Sequence, residues 1–319
     1  MGYPTLKVLV TGSNGFIGYN VVRRLEFHGH DVVGIDNQTG YNSINSEELK
    51  ILHHERNSRK KTISKVFDIR SEYIDKVFAY FKPDVVIHFA SLPRQEVAKQ
   101  DPLLASDVMT NGLINVLESS KQHKIKKFVY ISSSMVYGKF EDGTDESKPC
   151  NPQGIYAILK LGGEKLVADY QGHFDYTIIR PSAVYGEYDS SIRVIGQFFV
   201  NAIRDQKLTV YGPKEILDFT HVDDCSKGIY QAVIGYGKHN IYNITRSADK
   251  PITLLNAAEK IVSMVGKGTI QTKDRNLEFP SRGRLNIARA KKDFEYDPKI
   301  DFDEGLLKTY EWFEYLLSK

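Results

Sequence analysis

Tyr156 and Lys160 stand four residues apart, a spacing that puts a phenol and an ammonium on one face of a helix. A free phenol titrates near ~10 and is a poor base at neutral pH. A cation held beside it favours the phenolate and draws that value down. A drop of about 3 units asks for about 4 kcal/mol of differential stabilisation, within reach of a partly desolvated site with two positive neighbours. Upstream, Ser132, Ser133 and Ser134 close an apolar run that begins at Lys127. A hydroxyl at the carboxyl end of a parallel strand faces the ligand crevice and can hydrogen-bond a substrate oxygen whose charge changes in the reaction. Base, cation and hydroxyl together suit proton removal from a carbinol coupled to hydride transfer. Taken alone, the Tyr-x-x-x-Lys spacing also occurs on solvated helix faces, and a serine can simply cap a strand end.

The hydride acceptor is indicated at the other end of the chain. An apolar run from Leu6 to Val10 leads into Thr11-Gly12-Ser13-Asn14-Gly15, then a helical pattern from Phe16 to Phe27 and a second apolar run from Asp31 to Asp36. Gly12, Gly15 and Gly18 thus sit in a turn between strand and helix. Glycines there let the backbone approach a pyrophosphate, and the helix N-terminus offers unpaired N–H groups. A lone glycine pattern is weak; the strand–turn–helix context is what a dinucleotide site requires. Asp36 ends the second strand, where a carboxylate accepts from a ribose 2′-OH and repels a 2′-phosphate. Asn37, Gln38 and Thr39 follow with no Arg or Lys, so NAD is favoured over NADP. Asp68, after the third strand, reads either as an adenine neighbour or as a surface turn.

The elements that must hold these residues alternate. Strands are predicted at 64–67, 85–89, 127–132 and 176–180, with helices over 73–81, 102–123 and 154–170. Apolar strands alternating with helices predict an α/β fold, a doubly wound parallel Rossmann sheet covered on both faces. After Pro181 the alternation loosens into Gly-, Pro- and Asp-rich loops, with helices over 254–265 and 302–317. We therefore expect a Rossmann domain over 1–181 and a smaller C-terminal α/β substrate domain over 182–319, part of 218–246 packing back on the first. The polar segment 47–65, with Arg56, Arg59, Lys60 and Lys61, reads as an exposed excursion. No aromatic interleaves its charges, which argues against nucleic acid.

Composition excludes several classes. In 319 residues the formal net charge is +3, too small to suggest nucleic acid or an anionic membrane as partner. Cys150 and Cys225 alone make no disulfide framework, and a reducing, cytoplasmic setting is expected. No secretory leader is expected from the residues before the first apolar strand, and no apolar run approaches the ~20 residues needed to span a bilayer. The pair His53-His54 lacks further ligands at zinc spacing, and no metal is expected. His88 and His221 read as structural, Cys225 as a core residue of a helix starting near Asp223, and the segment Tyr310 to Tyr315 as core or subunit packing.

Several segments, in order, carry a resemblance covering nearly the whole chain: Thr11 to Gly18, Asp36-Asn37, His88 to Ser91, Asn111-Gly112 through Glu118, and Ser132 to Gly138. They continue with Tyr156 to Lys160, Arg180-Pro181 through Gly186, and Asp218 to Asp224. The chain resembles the extended short-chain dehydrogenase/reductases, within them the NAD-dependent epimerase/dehydratase group acting on nucleotide sugars. The resemblance implies that Gly12, Gly15, Phe16, Ile17 and Gly18 cradle the pyrophosphate of NAD. Asp36 and Asn37 would hold the adenosine ribose, Asp68 and Ile69 lie at the adenine, and Phe89, Ala90 and Ser91 pass the cofactor. Tyr156 would be the base and Lys160 its partner at the nicotinamide ribose; Pro181 and Val184 would pack near the nicotinamide. Counting back from Tyr137-Gly138 puts the catalytic hydroxyl on Ser133. Helices near 103–122 and 154–170 would pair two subunits as a homodimer.

Departures from the family pattern narrow the substrate. Ser134 and Met135 occupy the places of the Asp-Glu pair used in 4,6-dehydration, which turns the expectation towards epimerisation through transient oxidation at sugar C4, on a UDP-hexose or UDP-uronate. Ala183 stands where many members carry Asn and Leu217 where they carry Arg, so two usual diphosphate contacts are absent. Arg193 and Arg282 are candidates to replace them, being either phosphate-gripping forks or plain surface residues; with Arg94, Ser133, Ser134 and Tyr156 they form the expected substrate set. A net 4-reductase or dehydrogenase uses the same residues, a dehydratase or decarboxylase stands further off, and a non-catalytic NAD-binding scaffold is the reading from a different class.

Overall fold

The computed structural model describes residues 4–40, 45–58, 63–189, 193–235, 237, 239–277 and 279–318. Its first half alternates strand and helix: β1 (Lys7–Thr11), α1 (Phe16–Phe27), β2 (Asp31–Asp36), α2 (Ser46–Ser58), β3 (Ile63–Val66), α3 (Tyr73–Phe81) and β4 (Val85–His88). There follow α4 (Gln95–Gln100), α5 (Pro102–Ser106), a π-turn (Asp107–Gly112), α6 (Leu113–Gln122), β5 (Lys127–Ile131), a 3-10 turn (Ser134–Tyr137), α7 (Ile155–Asp169) and β6 (Asp175–Pro181). The remainder holds β7 (Val184–Tyr185), α8 (Val194–Ile203), β8 (Lys207–Tyr211), β9 (Ile216–Leu217), β10 (Thr220–His221), α9 (Val222–Ile234) and β11 (Ile241–Ile244). It closes with β12 (Ile252–Thr253), α10 (Leu254–Val265), β13 (Thr269–Lys273), α11 (Ala288–Phe294) and α12 (Phe302–Leu317).

Seven strands form one parallel sheet in the order β11-β6-β5-β4-β1-β2-β3. Strand order reverses between β1 and β4, where Thr11 and His88 lie side by side. This is the doubly wound sheet predicted from the apolar strands, and its switch point puts a crevice at the carboxyl ends of β1 and β4. One face is covered by α1 and α9, packed on Val8, Val10, Ile87 and Val129. The other carries α3, α6 and α7 over Leu9, Val86, Phe128 and Ile178. Cys225 is fully buried in α9 as expected. A third apolar cluster joins α8, α10 and α12 through Phe198, Phe199, Ile261 and Phe313. Here the strands pair only in twos: β8 with β13, β9 with β12, and β7 with β10.

Two expectations need correction. The segment 47–65 is no exposed excursion: α2 buries Leu52 and Arg56, each 1% exposed, and packs against α12. Its polar composition hides three buried positions, Glu48, Leu52 and Arg56, each four apart and so on a single face. Arg59, Lys60 and Lys61 lie outside the described residues. The helix predicted over 102–123 is also interrupted, with six residues wound as a π-turn. The turn brings Gly112 against Ile69, where a Cβ would lie 2.6 Å from the isoleucine Cδ1.

Candidate active site

Thr11 ends β1, and the chain must then turn sharply to start α1. Gly12 makes that turn at φ +68°, and a Cβ on it would meet the Ala90 amide nitrogen at 2.8 Å. A Cβ on Gly18 would meet the Gly12 carbonyl oxygen at 2.2 Å. Helix α1 opens with Gly15, without a side-chain cap and without an acid in its first turn, leaving its N–H groups and positive dipole end available to an anion. Asp36 accepts from the Asn14 amide at 2.8 Å and from the Gln38 amide at 2.7 Å. This ties the strand-end carboxylate to the glycine turn. Asp68 accepts from Arg70 Nε at 2.8 Å and from Asn37 Nδ2 at 3.0 Å; the Arg70 hydrogen bonds hold its carboxyl down to about 2.

His88 is fully buried between Phe128 and Tyr130, its Nδ1 2.9 Å from Thr11 Oγ1. Burial pushes the imidazole down to about 3, so it is neutral at physiological pH. His221 is likewise structural, capping α9 through its Nδ1.

The chemistry-bearing residues come from β5 and α7. Beyond Ile131 the chain stays extended through Ser133, whose Oγ accepts from the Met135 amide at 3.2 Å and so starts the 3-10 turn. Ser134 points elsewhere, donating to Ser182 Oγ at 3.1 Å. Helix α7 has no cap of its own; Gln95 Oε1 receives the Tyr156 amide at 3.2 Å instead. Gly154, at φ +83°, is what allows Gln95 to approach.

Lys160 donates to the Ile131 carbonyl at 2.8 Å and lies over the Tyr130 ring. Burial lowers its ammonium to about 7, with Glu164 pulling the other way. Burial likewise raises the Tyr156 phenol above its ordinary value; the Arg193 charge and a Ser133 hydrogen bond oppose it. The Lys160 Nζ faces a strand carbonyl and sits 5.8 Å from the Tyr156 ring centroid. Arg193, whose charge draws the phenol the other way, is itself paired with Asp189 at 3.0 Å.

One cavity of about 690 Å³, within the ordinary range for a cofactor or ligand site, is lined by the glycine turn, Asp36, Asp68, Ser133, Tyr156 and Lys160. Every residue expected at the catalytic, cofactor or substrate site lines it. At one end are Gly12, Gly15, Phe16, Ile17, Gly18, Asp36, Asn37, Asp68 and Ile69. Phe89, Ala90, Ser91, Ser133, Ser134, Tyr156, Lys160, Pro181 and Val184 occupy the middle, and Arg94, Arg193 and Arg282 also face in. Others went unnoticed in the sequence. Arg56 sits in a segment that reads as solvated, and Thr209, Tyr211 and Phe279 lie in parts with no readable motif.

A glycine cradle at a helix N-terminus, opening into the same cavity as a buried Tyr-Lys pair and a strand-end serine, is a dinucleotide-linked site. The family model for the NAD dependent epimerase/dehydratase family matches residues 8–245. The chain belongs to that family. Its members among curated proteins include UDP-glucose 4-epimerase of Mycolicibacterium smegmatis, 28% identical across 97% of this chain and 98% of that protein. They also include dTDP-glucose 4,6-dehydratase of Streptomyces niveus, 29% identical across 97% and 93%. Among solved structures, UDP-glucuronic acid 4-epimerase from Bacillus cereus, in complex with UDP-glucuronic acid and NAD, superposes with a TM-score of 0.87. It is 27% identical, and the match covers 98% of this chain and 100% of that one. This family member is thus an NAD-dependent enzyme of nucleotide-sugar type, and its cradle is compatible with the cofactor: only a residue without Cβ fits at Gly12 or Gly18. Among the described residues no helix is long and apolar enough to cross a membrane.

Proposed function

We propose that this enzyme is a C4-epimerase of a UDP-hexose or UDP-uronate. The observation that carries it is the Ser133–Tyr156 pair beside Ser134 and Met135: a base and a hydroxyl donor without an acid–base pair for dehydration. NAD, held by the glycine turn, Asp36 and Lys160, supplies a reversible hydride acceptor. Tyr156 Oη takes the proton from the sugar O4, and Ser133 Oγ donates to the same oxygen, leaving a ketone at C4. Ser134, bonded to Ser182, has no carboxyl group with which to drive loss of water. After the sugar presents its other face, the ketone would take the hydride back at C4 from the reduced cofactor while Tyr156 returns the proton to O4, which completes the inversion. Arg94, Arg193 and Arg282 line the wall where the nucleotide diphosphate would lie, and remote binding of that group holds the molecule while the sugar turns.

The test is turnover of UDP-glucose and UDP-glucuronate with product analysis. Wild type should interconvert the C4 epimers of one of them with no net change in NADH absorbance. Tyr156→Phe should bind NAD normally and lose activity by at least ~10³-fold, since it removes the proton acceptor. Steady consumption of NAD(H) would turn the assignment to a net reductase. Full turnover by Tyr156→Phe would end it.

We further propose a homodimer formed through α5, α6 and α7. Leu103 and Ile158, 83% and 51% exposed, lie on this face, and sedimentation velocity will give the mass. A cytoplasmic location suits two cysteines that are both free.

A further inference from the structure

Arg56 is the largest fully buried side chain of the described residues. It projects from α2 to the wall of the cofactor cavity. Two of its five N–H groups are used, on the carbonyl oxygens of Asn14 and Tyr188, and its Cζ lies 5.6 Å from the Tyr19 ring centroid. Its Nε is buried without a hydrogen-bond partner. Asp36 and Asp189 are the carboxylates whose field it feels, yet among the described residues none lies within ion-pair distance. A buried guanidinium without a carboxylate is costly. Such a charge is retained where an anion arrives to meet it, and a guanidinium fork suits phosphate oxygens.

We propose that Arg56 is a cofactor-binding residue, donating its remaining N–H groups to the diphosphate of NAD across the cavity from the open N-terminus of α1. The carbonyl of Asn14 fixes the guanidinium to the glycine turn, and that of Tyr188 fixes it to the loop after β7. This inference rests on the NAD assignment above and adds a charged contact to a turn otherwise made of backbone amides.

The test measures affinity rather than turnover. NAD and ADP-ribose binding is measured by calorimetry, and adenosine binding by ligand-observed NMR, for wild type, Arg56→Met and Arg56→Lys. Loss of a charge-assisted hydrogen-bond pair should weaken NAD and ADP-ribose about 10- to 100-fold in Arg56→Met. Adenosine should stay within about twofold. Arg56→Lys, which keeps the charge without the fork, should fall between. NAD and ADP-ribose binding within twofold of wild type in Arg56→Met, or an equal loss for adenosine, would overturn the inference while leaving the NAD assignment intact. Failure of the wild type to bind NAD would overturn both. If Arg56→Met does not fold, Arg56→Gln against Arg56→Lys carries the comparison. The neutral variant must lose more affinity for the two diphosphate ligands than the charged one; equal behaviour refutes the proposal.

Discussion

Glu164 and Arg180 meet at 2.6 Å beneath the strand end that carries Ser133, each only 3% exposed. The same carboxylate accepts from Ser132 Oγ at 2.5 Å, and the guanidinium lies over the Tyr137 ring at 4.7 Å. One ion pair thus fastens β5, β6, α7 and the 3-10 turn together. Removing one partner strands the other in a dry interior. Glu164→Leu or Arg180→Met alone should cost about 3–5 kcal/mol, and the double variant should recover much of it, because paired apolar replacements are often neutral. Equilibrium urea unfolding of the three variants decides; additive losses would contradict this account.

Lys160 predicts a pH dependence of stability in the cofactor-free protein. Its folded-state value is depressed to about 7 by burial, against ~10.4 unfolded. Below pH 7 the lysine is charged in both states and its burial cost is fully present. As pH rises through the folded value towards the unfolded one, the unfolded chain binds more protons and stability rises. Lys160→Met should therefore be more stable than wild type at pH 6, by on the order of a few kcal/mol. The gap should narrow steadily to pH 10. A constant difference across that range would show that the ammonium is not desolvated.

Ala183 holds φ +39° at the cavity wall, in a region where a residue with a Cβ pays about 1–2 kcal/mol and Asn is better tolerated. Ala183→Asn should raise the melting temperature by a few degrees, and it places an amide at the cavity wall. Ala183→Val, whose branched Cβ is worse there, should lower it. Thermal unfolding followed by circular dichroism checks both.

Gln95 and Gly154 should behave as one unit. Gln95→Leu removes the acceptor of the Tyr156 amide, and we expect kcat to fall about tenfold, as for loss of roughly one hydrogen bond, with NAD affinity unchanged. Gly154→Ala meets both the positive φ and the Gln95 side chain, whose Nε2 would lie 1.7 Å from the new Cβ. Combining it with Gln95→Ala should cost clearly less than the sum of the single changes. A double-mutant cycle on melting temperature reads the coupling directly.

Much of this site was legible because its residues obey local rules. The glycine turn needs a strand before it and a helix after it, and both are visible in the apolar periodicity around it. Helices α10 and α12 stand at their predicted limits, since their amphipathic stripes are long enough to read. Two-residue strands such as β7, β9, β10 and β12 leave no alternation to detect. Arg56 was hidden for another reason. A cation amid His54, Glu55 and Asn57 reads as solvated surface, and only tertiary packing brings it to the carbonyls of Asn14 and Tyr188.

The contrast between one seven-stranded sheet and three two-stranded pairs also bears on how such an enzyme changes over generations. Proton and hydride chemistry hangs from β1, β5 and α7, in a scaffold where a misplaced atom disturbs many neighbours. Thr209, Tyr211, Leu217 and Phe279, which line the same cavity, hang from short ribbons and a loop that tolerate replacement and insertion. New sugar preferences can therefore arise by drift at the periphery, with the reaction inherited unaltered from the centre.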